Sequence, residues 1–335
     1  MLKPRYKVRS VISWTMAQTA FIALLLFITT SVGRAADESS VYPGKLRIAK
    51  AKNLSPRERE VEARFATYLE DHTDEAVARY IKKYGKDIDT DNVRELSIDY
   101  SPGGLESADD PAARAARINW SAAVQEPSSA LSKEIYRRAL QKAPASGQRG
   151  QVVFTAGGAG AGKTTSIQQI PGVTRALDEA EIIYDTTLSR FDSAKERVAQ
   201  ALAAGRMVSI VYVYRDPIDS FVGGVLPRAE RTGRTLPLEA FLATHIGAAE
   251  VLAKLSDAYK NDDRVAIAVI DNSRGRGNAA LSDIAFVKKS AGKYSRQELK
   301  AKLSKALDEA YEKGKKGEKG GISEAVYKSI KGDAR

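Results

Sequence analysis

Cysteine is absent from the 335 residues, and histidine occurs only twice, at His72 and His245. A disulfide, a thiolate zinc site and a cysteine nucleophile are therefore excluded, and two histidines argue against a histidine-rich metal centre. A charge excess is also missing from the body of the chain, although the formal net charge is +11. Residues 1–10 hold four bases and no acid, and residues 288–335 hold 14 bases against 7 acids. The remainder balances at 35 bases and 35 acids, so it offers no compositional footprint for nucleic acid. The basic run at 313–319 reads as a solvated segment. The 43% apolar and 28% charged content is that of a globular protein, long enough for one large or two modest domains.

One long hydrophobic run stands at the N-terminus. Lys3, Arg5, Lys7 and Arg9 precede an apolar stretch at about 16–32, followed by Gly33-Arg34-Ala35-Ala36. This layout predicts a secretory signal peptide or an uncleaved membrane anchor over 1–36. Both readings put the body outside the cytoplasm, exported or anchored to the inner membrane, and have this segment engage the membrane or export machinery. A true start further downstream would make the protein cytoplasmic.

Residues 37–55 are polar and read as a linker, with Pro43 and Gly44 as breakers. Residues 56–149 form a helical region: one helix over 56–84, a short one near Asp91 capped by Thr90 or Asp91, and a third over 110–142 broken near Pro127. From 150 to 290 strand patterns at 152–156, 181–184, 207–214 and 265–270 alternate with helical ones. Such alternation predicts an α/β domain with a parallel sheet flanked by helices. Residues 291–335 read as a basic helical tail.

The most specific signal is Gly157-Gly158-Ala159-Gly160-Ala161-Gly162-Lys163-Thr164, which fits G-x-x-x-x-G-K-[ST] between a strand and a helix. Its glycines let backbone amides close around phosphate oxygens, and the following helix N-terminus adds positive potential. Lys163 reaches the β/γ-phosphates, Thr164 is placed to hold Mg²⁺, and Thr165 continues the loop into the helix. The expected cofactors are ATP or GTP with Mg²⁺. Strand ends carry the next candidates. Asp185 follows Ile182-Ile183-Tyr184 and is the positional candidate for a Mg²⁺ carboxylate or for a helix cap. Asp216 before Pro217 reads as a turn former. Arg228, Arg231 and Arg234 lie in a glycine-containing stretch that reads as a mobile lid over a transferring phosphoryl group.

Over about 150–275 the chain resembles the zeta-toxin family of P-loop kinases. The resemblance rests on Gly157–Thr165, on Ile182-Ile183-Tyr184-Asp185-Thr186-Thr187, on Ala204-Gly205-Arg206 leading into Val211–Pro217, and on Arg228 with Gly233–Pro237 and His245. It implies ATP-dependent phosphorylation of a hydroxyl on a UDP-amino sugar such as UDP-N-acetylglucosamine. It also implies a toxin–antitoxin setting, with an antitoxin or inhibitory helix as partner. Arg228 and Arg234 match the family's lid arginines, and Asp185 and Thr187 fall where the family contacts its sugar nucleotide. One departure matters. The family carries its catalytic aspartate in an Ile-Asp-x-Asp pattern about twenty residues after the loop lysine. Here that pattern occurs upstream, as Ile88-Asp89-Thr90-Asp91. The expectation is that this segment folds over the loop and that Asp91 receives the acceptor's proton, with Asp185 as the other candidate base. Two further readings of the residues stand beside the kinase: a P-loop ATPase or switch, and a nucleotide-binding effector module acting through its N-terminal helices.

Overall fold

The computed structural model describes residues 46–104, 110–144, 150–275 and 277–332, all within one compact unit spanning Asp37–Arg335. The signal or anchor segment at 1–36 and the linker residues 37–45 lie outside the described residues. Among those described, no helix is long and apolar enough to cross a membrane.

Six strands form one sheet: β1 (Asp87–Asp89), β2 (Gln151–Ala156), β3 (Ile182–Asp185), β4 (Met207–Tyr214), β5 (Val265–Asp271) and β6 (Ala280–Ser282). Their spatial order is β1-β3-β2-β4-β5-β6. All neighbours are parallel except β5 and β6. β2 shows why these runs become central strands. Val152 and Phe154 pack into the core on one face, and Val153 packs into a separate core on the other. A parallel strand buried on both faces needs such a continuous apolar run.

β1 and β6 are the two strands the sequence reading does not include; β1 is the one that reaches the phosphate loop. It comes from the region read as helical, yet it pairs with β3 so that Asp89 stands level with Asp185. The boundary drawn at 149–150 therefore falls between two strands of one sheet. Lys86 strengthens the junction by donating to the carbonyls of Asp178 (2.6 Å), Leu177 (2.9 Å) and Ala180 (3.0 Å).

The N-terminal helices are α1 (Pro56–Asp71), α2 (Thr73–Tyr84), α3 (Thr90–Val93), α4 (Pro111–Trp120) and α5 (Gln125–Gln141). Ser55 and Glu58 close a capping box at the start of α1, with Pro56 at its first position. The single helix expected over 56–84 is two, because the chain leaves helical geometry at His72. The break expected near Pro127 lies instead at 121–124. Pro127 sits in the first turn of α5, where its missing N–H costs nothing. The cap of α3 is Asp89, not Thr90 or Asp91: its carboxylate accepts the Asp91 N–H at 2.8 Å. The described part of the linker also packs, with Leu46 and Leu54 buried.

After the phosphate loop come α6 (Lys163–Ile167), α7 (Pro171–Glu179), α8 (Phe191–Ala203), α9 (Pro217–Ser220), α10 (Leu226–Thr232) and α11 (Leu238–Ala258). They are followed by α12 (Ile284–Ala291), α13 (Arg296–Lys315) and α14 (Glu324–Lys331). The last two are not a loose tail. Leu299, Leu303 and Leu307 join Val326 and Ile330 in a core with Phe221, Leu226 and Phe241. That core holds α10 and the start of α11 from behind.

Candidate active site

The phosphate loop, Gly157–Thr165, joins the carboxyl end of β2 to α6, as its motif requires. Gly157, Gly160 and Gly162 adopt φ of 139°, 74° and 80°. A side chain is disfavoured at all three. A Cβ on Gly160 would also stand 2.4 Å from the Ser220 carbonyl oxygen, and one on Gly157 2.4 Å from that of Val213. Lys163 reaches across to Asp185, Nζ to Oδ1 at 3.1 Å. Thr155 donates to the same carboxylate oxygen at 2.8 Å. Thr164 and Thr165 are exposed at the start of α6.

The structure brings the upstream aspartates to this loop. β1 ends beside β3, so Asp89, Asp91, Lys163 and Asp185 line one cavity. The two upstream carboxylates differ in character. Burial raises the Asp89 carboxyl to about 7, and the Asp91 and Asp185 charges add to the rise. Burial pushes Asp91 upward too, but Arg94, Arg228, Arg234 and Lys163 overcome it and hold the carboxyl well below the usual range. Arg94 lies 3.3 Å and Arg228 3.9 Å from Asp91. Asp91 is thus ionised beside the loop lysine, whereas Asp89 takes a proton near neutrality.

The arginine stretch is not a glycine loop. Arg228 and Arg231 are on α10, and Gly233 caps that helix at φ 75°. A π-helical turn, Phe221–Val225, precedes it, with the Leu226 N–H donating to the Phe221 carbonyl. Pro227 has no N–H to continue the regular ladder, which accounts for the local widening. Gly224 sits where a Cβ would come 2.7 Å from the Gly160 carbonyl oxygen, so the turn presses directly on the phosphate loop. Arg234 lies just beyond Gly233 and is fixed by Glu95 at 2.8 Å. Glu95 also holds Arg117 of α4 at 3.1 Å, and both Glu95 and Arg117 are buried. Arg114 of α4 pairs with Glu230 of α10. Glu230 in turn accepts from the Ser323 N–H at 2.7 Å, at the head of α14. The arginine-bearing helix is therefore clamped from two sides rather than hung as a mobile lid.

Sequence reasoning assigns no role to four side chains around the loop. His245 of α11 donates through Nε2 to the Ala159 carbonyl at 2.9 Å, and desolvation pushes its imidazole down to about 4. Asn272, just past β5, donates to the Ala161 carbonyl at 2.8 Å. Arg215, at the end of β4, donates to that of Gly160 at 3.4 Å. Glu95 is the fourth. His245 stands among the residues of the family resemblance, but nothing in the motif points it, or Asn272, at loop carbonyls. Asp216, read as a turn former, caps α9 through the Ile218 N–H at 2.9 Å and pairs with Lys293 at 2.6 Å.

The cavity measures about 1420 Å³. Its lining includes the phosphate loop, Gln169 and Asn272, Lys133 of α5, and Thr187, Arg190 and Arg197. Asp91, Arg228 and Arg234 also line it. Among the described residues, no group of three or more His, Asp or Glu side chains is set to cage a metal. Mg²⁺ does not need one, since it is commonly held by one or two protein oxygens and by substrate phosphates. The Thr164 hydroxyl and the Asp185 carboxylate fit that requirement.

A parallel sheet with this loop at a strand end defines a P-loop nucleotide-binding protein. Residues 173–280 match the family model described as Zeta toxin, a span running from α7 to β6 that includes Asp185, Arg228, Arg234 and His245. Over that span the chain is accordingly similar to the zeta toxins. Among solved structures, the chain is similar to a chain of the AvrRxo1-ORF1:AvrRxo1-ORF2 complex at 13% identity and TM-score 0.34, covering 51% of this chain and 82% of that one. The same pair with ATP gives 13% identity and TM-score 0.37, covering 51% and 80%. The PezAT chromosomal toxin–antitoxin system of the human pathogen Streptococcus pneumoniae gives 14% identity and TM-score 0.28, covering 51% and 91%. No curated protein matches the chain.

Proposed function

We propose that the protein transfers the γ-phosphoryl group of ATP, or of GTP, to a hydroxyl of a UDP-amino sugar such as UDP-N-acetylglucosamine. The observation that carries this reading is the ionised Asp91 lining the same cavity as Lys163 and flanked by Arg94 and Arg228. An acceptor hydroxyl approaching the γ-phosphorus needs a carboxylate within hydrogen-bond reach to take its proton, and charge on the transferring group needs fixed cations. In the step, the acceptor oxygen forms a bond to phosphorus and the bond from phosphorus to the β–γ bridging oxygen breaks. The hydroxyl proton passes to Asp91, and the nucleoside diphosphate leaves. Lys163, Arg228 and Arg234 hold the phosphoryl oxygens. Thr164 and Asp185 would hold Mg²⁺, which supplies charge neutralisation at the phosphates when bound.

Cavity size supports two substrates rather than one. Single ligand pockets commonly measure about 300–1,000 Å³, and this one exceeds that range. Its lining offers hydroxyls at Thr186, Thr187 and Ser189 to a sugar, and Lys133, Arg190 and Arg197 to a diphosphate. An exported or membrane-anchored location, and an antitoxin or inhibitory helix as partner, belong to the same proposal. The test incubates wild type and Lys163→Ala with Mg·ATP and a panel of UDP-sugars, and reads products by mass. A UDP-amino sugar gaining one phosphoryl group in a Lys163-dependent way is the expected result. ADP release without a modified sugar overturns it in favour of an ATPase or switch.

A further inference from the structure

We propose that His245 and Asn272 are positioning residues that shape the phosphate loop from outside, each aiming one loop amide at the nucleotide by holding the carbonyl behind it. This rests on the reading that the loop binds a nucleoside triphosphate. A trans peptide points its C=O and its following N–H in opposite directions. Holding the Ala159 carbonyl outward at 2.9 Å therefore turns the Gly160 N–H inward, and holding that of Ala161 at 2.8 Å does the same for Gly162. The amide between them is set internally, because the Ala161 N–H donates to the Gly158 carbonyl at 3.1 Å. Arg215, at 3.4 Å from the Gly160 carbonyl, completes the outer row with a longer bond.

Two independent features show that the loop and these side chains are built as a fit. A Cβ on Gly158 would stand 2.3 Å from the His245 ring, and one on Gly162 2.8 Å from Asn272 Nδ2. The phosphate-loop pattern does not demand glycine at position 158; the imidazole against it does. The ring is itself packed against Phe241 in a tilted pair, with centroids 4.4 Å apart. A carbonyl can only accept, so Nε2 carries the proton. Both anchors come from elements far along the chain, α11 and the end of β5, which lock the loop only once the sheet is complete.

The test uses the full chain as wild type, His245→Phe, His245→Gln and Asn272→Leu. Phenylalanine keeps an aromatic ring against Phe241 but removes the donor, whereas glutamine restores one. Mg·ATP affinity is measured by calorimetry, and KM for ATP, KM for the acceptor and kcat by turnover. The expected result is about tenfold weaker ATP binding in His245→Phe and in Asn272→Leu, near the effect of one lost buried hydrogen bond. The acceptor KM stays unchanged, and His245→Gln returns to within about threefold of wild type. Should Asn272→Leu fail to fold, the two His245 variants decide alone. Wild-type affinity in His245→Phe, or equal weakness in His245→Gln and His245→Phe, overturns the proposal while leaving the nucleotide reading intact. A wild type that binds no Mg·ATP overturns both.

Discussion

Replacing Glu95 by glutamine tests whether the arginine-bearing segment is held by a buried ion-pair bridge. Glu95 is 3% exposed and Arg117 1% exposed, and the carboxylate holds Arg117 at 3.1 Å and Arg234 at 2.8 Å. Burial opposes the Glu95 charge, but a Ser101 hydrogen bond and the two arginines keep the carboxyl below its ordinary value. Breaking a buried pair by removing one partner costs about 3–5 kcal/mol, because the other charge stays buried. Glutamine keeps the shape and one acceptor, so about 2–4 kcal/mol is expected. For a unit of this size that is a fall of about 3–7 °C in thermal midpoint. Arg234 also loses its anchor, so kcat should fall while the ATP KM changes little. Differential scanning fluorimetry reads the first effect and steady-state kinetics the second. A midpoint within one degree of wild type, with unchanged kcat, would refute the bridge as a positioning device.

Asp89→Asn should make the thermal midpoint less dependent on pH. A carboxyl raised to about 7 in the folded state contributes stability that is complete below its unfolded value and is lost as pH rises through 7. Asparagine keeps the acceptor oxygen for the Asp91 N–H, so the variant should gain on wild type between pH 5 and pH 8; a constant difference would remove the assignment. His245 works in the other direction. Its imidazole is pushed down to about 4, so its contribution is present above the unfolded value and lost as pH falls through 4. His245→Phe should therefore flatten the acid limb of a stability–pH curve, and an unchanged limb would count against it. Gly233→Ala should cost about 2–4 kcal/mol in urea unfolding, since it meets both a left-handed backbone and the Arg114 carbonyl oxygen at 2.1 Å. A loss under about 0.5 kcal/mol would show that α4 and α10 are not packed as described.

What the sequence made legible follows from where the determining forces are local. β4 was read at its true bounds because an eight-residue run, apolar except for Ser209, lies between Gly205-Arg206 and Arg215-Asp216-Pro217. The phosphate loop was legible because its backbone needs are written in glycines. β1 was not, since Ile88 is its sole apolar residue and only pairing with β3 makes it a strand. α10 was misread for a similar reason. Gly223, Gly224, Pro227 and Gly233 look like loop formers, yet Gly224 and Gly233 answer to close approaches by Gly160 and Arg114. The Ile-Asp-x-Asp pattern pointed to Asp91. The bridge through Glu95 and the anchors at His245 and Asn272 depend on residues roughly 20 to 140 positions apart, which no local pattern can display.

The most direct test of the central claim compares phosphoryl transfer to UDP-N-acetylglucosamine by wild type and Asp91→Asn at saturating Mg·ATP, with ATP affinity measured on the same samples. Loss of a positioned proton acceptor predicts a fall of about 10²–10⁴-fold in turnover with ATP affinity nearly unchanged. Full turnover in Asp91→Asn would contradict the account, because the upstream strand would then complete the sheet without supplying the chemistry.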